Sequence, residues 1–168
     1  TNNTSNGKYV ENFEIASRMM THALSNYKLN ESRIYTAGFS GGSRLASAIA
    51  VLTKKVRGVI ACGRAFSQNP QEKPTFESFQ YIGVVGDKDM NYLEFKDAET
   101  WLDKFNMKNS LIVFDGGHQW PPSEAMHQAF VWLERELNDS KTKENLNKEL
   151  KLYADNLLAE DNLVEAYN

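Results

Sequence analysis

Two spacings of apolar residues alternate along this chain, one helical and one extended, and their order lays out the architecture. From Tyr9 to about Tyr27, the residues Val10, Phe13, Ala16, Met20, Ala23 and Leu24 recur at helical spacing, which predicts an amphipathic helix. Lys28 to Ser32 turns the chain into a short β-branched and aromatic run, Arg33 to Gly38. The segment Leu45 to Lys54 then places Ala46, Ala48, Ile49, Ala50 and Leu52 on nearly every side. A helix of that kind is expected to be buried on most faces, as one centred on a sheet is. Arg57 to Cys62 is almost continuously apolar, the pattern of a strand covered on both faces. After a loop from Gly63 to Glu77 containing Pro70 and Pro74, Phe79 to Val85 reads as a third strand. Asn91 to Met107 is an amphipathic helix built on Tyr92, Phe95, Ala98, Trp101, Leu102 and Phe105. Leu111 to Phe114 is a fourth strand, and Pro122 to Leu137 is a helix carrying Ala125, Ala129, Phe130, Trp132 and Leu133. Strands alternating with helices predict an α/β fold: a parallel sheet of about four strands flanked by helices.

The two ends differ from this middle. Thr1 to Gly7 is polar and rich in Asn, a frayed lead-in. Residues 138–168 are rich in Lys, Glu, Asn and Asp, yet Leu146, Leu150, Tyr153 and Leu157 mark one face of a helix. The expected division is therefore an α/β domain over residues 1–137 and a helical extension over 138–168. That extension either lies back on the domain as a solvated helix or leads into another module.

Composition narrows the field. At 168 residues the chain suits one domain that buries roughly 70% of its unfolded surface. With 41% hydrophobic and 24% charged residues it is ordinary for a globular protein. A net charge of −3 without a basic cluster disfavours nucleic acid as a partner. No apolar run approaches the roughly 20 residues of a membrane span. The single cysteine, Cys62, has no intramolecular disulfide partner and belongs to no metal-ligand set. It reads as a packing residue.

The chemistry gathers where the strands end. Gly38-Phe39-Ser40-Gly41-Gly42 fits the G-x-S-x-G pattern of a nucleophile elbow and stands between a strand and a helix. Such a turn forces its serine into a strained conformation that lifts the hydroxyl clear of the sheet. Gly38 and Gly42 are expected to keep side chains out of the space where turn and helix pack. The Gly41 amide falls at the helix N-terminus, where it can donate to an oxyanion. Directly after the third strand comes Gly86-Asp87-Lys88-Asp89, an acidic loop at the edge where α/β sites are built. Directly after the fourth comes Gly116-Gly117-His118-Gln119-Trp120-Pro121, with Pro122 starting the next helix. Serine, acid and histidine thus follow one another, each after a separate strand.

These three motifs, over roughly residues 9 to 137, resemble the C-terminal half of an α/β-hydrolase. The closest flavour is the esterase group of dienelactone-hydrolase-like, polyhydroxyalkanoate-depolymerase-like and feruloyl-esterase-like proteins. The resemblance implies Ser40 as nucleophile, His118 as general base and acid, and Asp89, rather than Asp87, as the acid that orients the histidine. It implies a serine hydrolase of a small-molecule carboxylic ester, with no metal or organic cofactor. Family members have several strands ahead of the nucleophile strand, and one loop there supplies a second oxyanion donor. Here only a helix precedes it. The chain is therefore expected to be part of such a fold, with the nucleophile strand left as an edge for a preceding segment or another chain to cover. Alone, it is expected to be weakly active or inactive.

The remaining candidates are positional. Phe39 and Trp120 flank the serine and the histidine and are candidates for shaping a substrate pocket, although Trp120 equally suits anchoring the next helix in the core. Arg64 lies in the loop where a substrate-binding rim would be. His22 and His127 fall inside helices, and Asp87 and Asp115 suit either capping turns or tuning the site. Two other readings fit the same residues: a prolyl-oligopeptidase-like serine peptidase, and a hydrolase half-domain kept for binding or assembly.

Overall fold

The computed structural model describes residues 8–67 and 79–135 together with Lys148 and Lys151. In order, the elements are α1 (Tyr9–Asn26), a 3-10 turn (Glu31–Arg33), β1 (Tyr35–Phe39), α2 (Gly41–Thr53), β2 (Gly58–Cys62), β3 (Gln80–Gly86), α3 (Tyr92–Asp103), β4 (Asn109–Phe114) and α4 (Ser123–Arg135). The four strands form one sheet in the order β1-β2-β3-β4, every neighbouring pair parallel. Contacts divide the chain into two compact units, Thr1–Ala129 and Phe130–Asn168. Of the expected C-terminal helix only Lys148 and Lys151 are described, and both are helical and exposed. The expected N-terminal lead-in and most of the Gly63–Glu77 loop lie outside the described residues.

Local chemistry explains where the elements begin and end. β1 starts at Tyr35 rather than Arg33 because Asn30 captures the preceding turn: its Oδ1 accepts from Ser32 N at 3.0 Å and from Ser32 Oγ at 2.6 Å. α2 starts earlier than its apolar pattern, at Gly41, because its first turn consists of small and polar residues that periodicity does not register. It stops at Lys54, whose left-handed φ of 54° lets its N–H bond to Ala50 O. α3 ends short of Met107, where Asn106 takes a φ of 52° and the Met107 N–H returns to Leu102 O.

Alternation along the strands sends side chains to two faces. On one, Val59, Ala61, Tyr81 and Val85 join Ala46, Ile49 and Ala50 of α2 and Phe95, Ala98 and Leu102 of α3 in a single cluster. Phe13, Ala16 and Met20 of α1 pack against its margin. The alternate residues Ile60, Cys62, Ile82 and Val84 are also inaccessible, so β2 and β3 are covered on both sides as expected. Three residues expected on packed faces are not: Val10 is 66%, Leu52 64% and Phe130 44% exposed. Leu52 lies roughly 200° around α2 from the buried Ala50 and so faces away from the sheet. β1 is an edge strand, half-exposed, with Ala37 open to solvent.

Cys62 is a free, fully buried thiol whose Sγ lies 3.7 Å from Met126 Sδ. Burial pushes its pKa up from 9.0 to about 12, and burial raises that of Tyr81 as well. Both groups therefore stay neutral in the folded chain at pH values where the unfolded chain has begun to ionise. Their contribution to stability is complete below about pH 9 and is lost as pH rises towards 12, by up to about 1.4 kcal/mol per pH unit for each group. Urea midpoints measured at pH 8, 9.5 and 11 should fall progressively, and Cys62→Ala should flatten the decline. Alkylation of Cys62 by iodoacetamide at pH 8 should await unfolding.

Candidate active site

Parallel strands bring four loops to one edge of the sheet, and the candidate residues come from those loops. Phe39, Cys62 and Val84 stand in register across β1, β2 and β3. Just beyond them, Ser40 N donates to Cys62 O at 2.8 Å and Gly63 N to Val84 O at 3.0 Å.

Ser40 occupies a sharp turn between β1 and α2, with φ 52° and ψ −116°. A non-glycine residue there carries strain of order 1–3 kcal/mol, which its surroundings must enforce. Ser40 is fixed from both sides: its N–H is held by Cys62, and its carbonyl accepts from Ser43 N at 3.0 Å. Gly38 is what permits the turn. A Cβ on Gly38 would stand 2.2 Å from Gly42 O and 2.7 Å from Ser43 N. The matching expectation for Gly42 is incorrect, because a Cβ there meets nothing within 4 Å. Gly42 contributes its backbone to the close approach, and its missing side chain plays no part. Gly41 opens α2, so its N–H has no acceptor within the helix.

His118 brings the loops together. Its Nε2 lies 3.1 Å from Ser40 Oγ, and its Nδ1 lies 2.9 and 3.1 Å from the two carboxylate oxygens of Asp89. An ionised carboxylate only accepts, so Nδ1 carries the proton in the neutral ring and Nε2 presents its lone pair to the serine. The Asp89 side chain is fully buried, whereas that of His118 is about a quarter exposed. Asp89 Oδ1 also accepts from Asn91 N at 2.8 Å, which sets the rotation of the carboxylate. Asn91 Nδ2 in turn donates to Gly63 O at 2.8 Å. Gly63, at φ 65°, lies so close to Phe39 and to His118 Cε1 that a Cβ would stand 2.5 Å and 3.3 Å from them.

Phe39 and Trp120 form one wall of this edge. The Phe39 ring centroid is 4.8 Å from that of His118 and 5.3 Å from that of Trp120. Trp120 is 58% exposed, so anchoring the next helix in the core is not its role. Arg64 is exposed, and its backbone carbonyl accepts from Ser43 Oγ at 2.6 Å. His22 pairs with Asn26 on α1, away from this edge. Asp87 accepts from Gly116 N at 3.0 Å, and Asp115 pairs with Lys88 on the surface. Among the described residues, no group of three or more His, Cys, Asp or Glu side chains is gathered that could hold a metal ion.

Sequence reasoning missed Gly63 and Asn91. The spacing of Asn91 two residues after Asp89 was a usable signal, because Asp accepts readily from the second amide that follows it. The role of Gly63 has no sequence signal beyond a glycine at a strand end.

The fold that positions these residues is that of an α/β-hydrolase, represented here by a four-stranded parallel portion with flanking helices. Three solved structures illustrate the likeness. A carboxylesterase of Bacillus cereus aligns with TM-score 0.62 at 15% identity, over 76% of this chain and 61% of that one. A fluorophosphonate-binding serine hydrolase of Staphylococcus aureus, solved with substrate bound, aligns with TM-score 0.60 at 13% identity, over 72% and 62%. An S-formylglutathione hydrolase of Staphylococcus aureus aligns with TM-score 0.58 at 15% identity, over 74% and 61%. The chain thus spans about three-fifths of the length of these neighbours. No family model and no curated protein matches the sequence. Among the described residues, no helix is long and apolar enough to cross a membrane.

Proposed function

We propose that this chain carries the catalytic residues of a serine hydrolase acting on carboxylic esters. The observation that carries the reading is the continuous hydrogen-bonded line from Ser40 through His118 to buried Asp89, with Ser40 held at positive φ. A serine hydroxyl is a weak nucleophile near neutral pH. In the proposed reaction His118 Nε2 takes the Oγ proton as Oγ bonds to the acyl carbon. The Gly41 N–H donates to the carbonyl oxygen as it becomes an oxyanion. The C–O bond to the alcohol breaks, and His118 returns the proton to that departing oxygen. Water then attacks the acyl-enzyme with His118 as base, which releases the acid and restores Ser40. Asp89 keeps the Nδ1 proton in place and stabilises the imidazolium. Phe39 and Trp120 offer an apolar wall to the substrate, and Arg64 lies at its rim.

The second oxyanion donor is proposed to come from outside the described residues, together with a strand on β1. Two observations support this. The strand that leads into Ser40, β1, is a half-exposed edge whose outer backbone groups are open to pairing by a further strand. The structural neighbours are also longer than this chain. Removing one oxyanion donor costs about 10²–10³ in rate, so any form of the protein that lacks the second donor should turn over slowly.

A fluorophosphonate probe tests the reading without requiring turnover. Mass spectrometry should find the adduct on Ser40, and Ser40→Ala should abolish it. Absence of labelling in the chain and in any longer protein that contains it would sink the hydrolase reading. Comparing p-nitrophenyl acyl esters with proline-containing amides should favour the esters.

A further inference from the structure

Asp89 and His118 come from separate loops, so their contact depends on how those loops are held together. The seam between them lies two residues upstream of each. Asp87 N donates to Phe114 O at 2.9 Å, and the Asp87 carboxylate accepts from Gly116 N at 3.0 Å. Lys88 N donates to Gly116 O, also at 2.9 Å. Both backbone polar groups of Gly116 are therefore bonded to the acidic loop, one through backbone and one through a side chain. The loops touch so closely that a Cβ on Gly86 would stand 2.2 Å from Gly116 O. That Cβ would also stand 2.7 Å from Gly117 O, which accepts from Gln119 N at 3.0 Å, whereas a Cβ on Gly117 itself would meet nothing within 4 Å. Two side-chain contacts supplement this backbone seam, Asp87 to Gly116 N and the exposed Lys88–Asp115 ion pair, and of the two only Asp87 holds the backbone of the histidine loop.

We propose that Asp87 is a positioning residue: by holding Gly116 N–H, its carboxylate fixes the histidine loop so that His118 meets Asp89 and Ser40 together. It touches neither substrate nor reacting atoms and acts through His118. The inference rests on the catalytic reading above for its effect on rate, but its structural half stands apart from that reading. Asp87→Ala removes the acceptor and leaves the two backbone bonds of the seam and the Lys88–Asp115 pair. Asp87→Asn keeps an oxygen in the same place, and so serves as the rescue.

The experiment has two arms on the folded protein. Proton NMR near neutral pH should show a downfield Nδ1–H signal from His118 and a slowly exchanging Gly116 amide. In Asp87→Ala the amide should exchange about two- to tenfold faster, the value of one ordinary hydrogen bond, and the His118 signal should broaden. In Asp87→Asn both should return. Fluorophosphonate labelling of Ser40 at saturating probe should slow by a similar factor in Asp87→Ala, with the half-saturating probe concentration unchanged, and recover in Asp87→Asn. Unchanged His118 and Gly116 signals in Asp87→Ala would overturn the proposal, as would an Asp87→Asn variant no better than Asp87→Ala. If the wild-type chain shows the NMR signatures and their loss but neither it nor any longer protein that contains it labels, the seam stands and the hydrolase reading falls.

Discussion

Asp89→Asn should reduce acyl transfer by about 10⁴ while leaving the fold intact, the order of loss seen when a triad acid becomes an amide. The size follows from how the carboxylate is held. One oxygen accepts from Asn91 N at 2.8 Å, and the other faces His118 Nδ1 at 2.9 Å. An asparagine at this position has one acceptor and one donor to place. The Asn91 N–H demands the acceptor, so the amide nitrogen is directed at His118. Nδ1 must then accept, which moves the ring proton to Nε2, the atom 3.1 Å from Ser40 Oγ. In that tautomer the histidine has no lone pair to offer the serine, and under the proposed mechanism Ser40 loses its base. The measurement is the rate of Ser40 labelling or of ester hydrolysis, set beside far-ultraviolet circular dichroism to show an unchanged fold. A loss smaller than tenfold would mean that Asp89 does not set the tautomer. Asp87→Asn is the informative comparison, since it makes the same chemical change two residues away without inverting any donor.

Much of the site was legible because its geometry is imposed by topology. A parallel sheet sends the end of every strand to one edge, so Ser40 after β1, Asp89 after β3 and His118 after β4 converge even though 78 residues separate the serine from the histidine. Strand periodicity and the order of motifs suffice for that much. Element boundaries were less legible where capping overrode the pattern. Asn30 withdrew two residues from the start of β1, and Asn106 shortened α3, both through local side-chain or left-handed backbone geometry that hydrophobic spacing does not encode. Leu52 misled for a related reason: an apolar residue late in an alanine-rich helix reads as core, yet its angular position sends it outward.

Glycines were the least transparent residues. The pattern around Ser40 invites one explanation for all of its glycines, but the backbone distinguishes them. Gly38 lies under the first turn of α2, Gly41 and Gly42 lie within that turn, and only the first has no room for a methyl group. Gly63 belongs to no recognised motif, yet it combines positive φ with contact against Phe39 and His118. Sequence proximity does not reveal such constraints, because they arise between a backbone atom and whatever a crossing element brings near it.

That difference leads to the second large effect, a pair of identical substitutions with opposite signs. Gly38→Ala should destabilise the protein by about 3 kcal/mol or more, since every atom its Cβ would strike is backbone: Gly42 O at 2.2 Å, Gly42 C at 2.3 Å and Ser43 N at 2.7 Å. No rotamer change relieves such contacts, so the first turn of α2 would have to retreat by roughly 1 Å to restore ordinary van der Waals distances. That turn is anchored by the buried Ser43, whose Oγ donates to Arg64 O at 2.6 Å, and retreat strains this bond as well. For a chain of this size the loss corresponds to a drop in Tm of about 6–12 °C. Any molecules that remain folded should label more slowly by about 10², because the Ser40 hydroxyl moves with the turn. Gly42→Ala puts the same methyl group into open space within a helix, where alanine is favoured over glycine, so stability should hold or rise by up to about 1 kcal/mol. Thermal unfolding of both variants beside the wild type decides the point. If Gly42→Ala proves as damaging as Gly38→Ala, the turn is constrained by both glycines, and the backbone approach drawn from Gly38 is not what fixes Ser40.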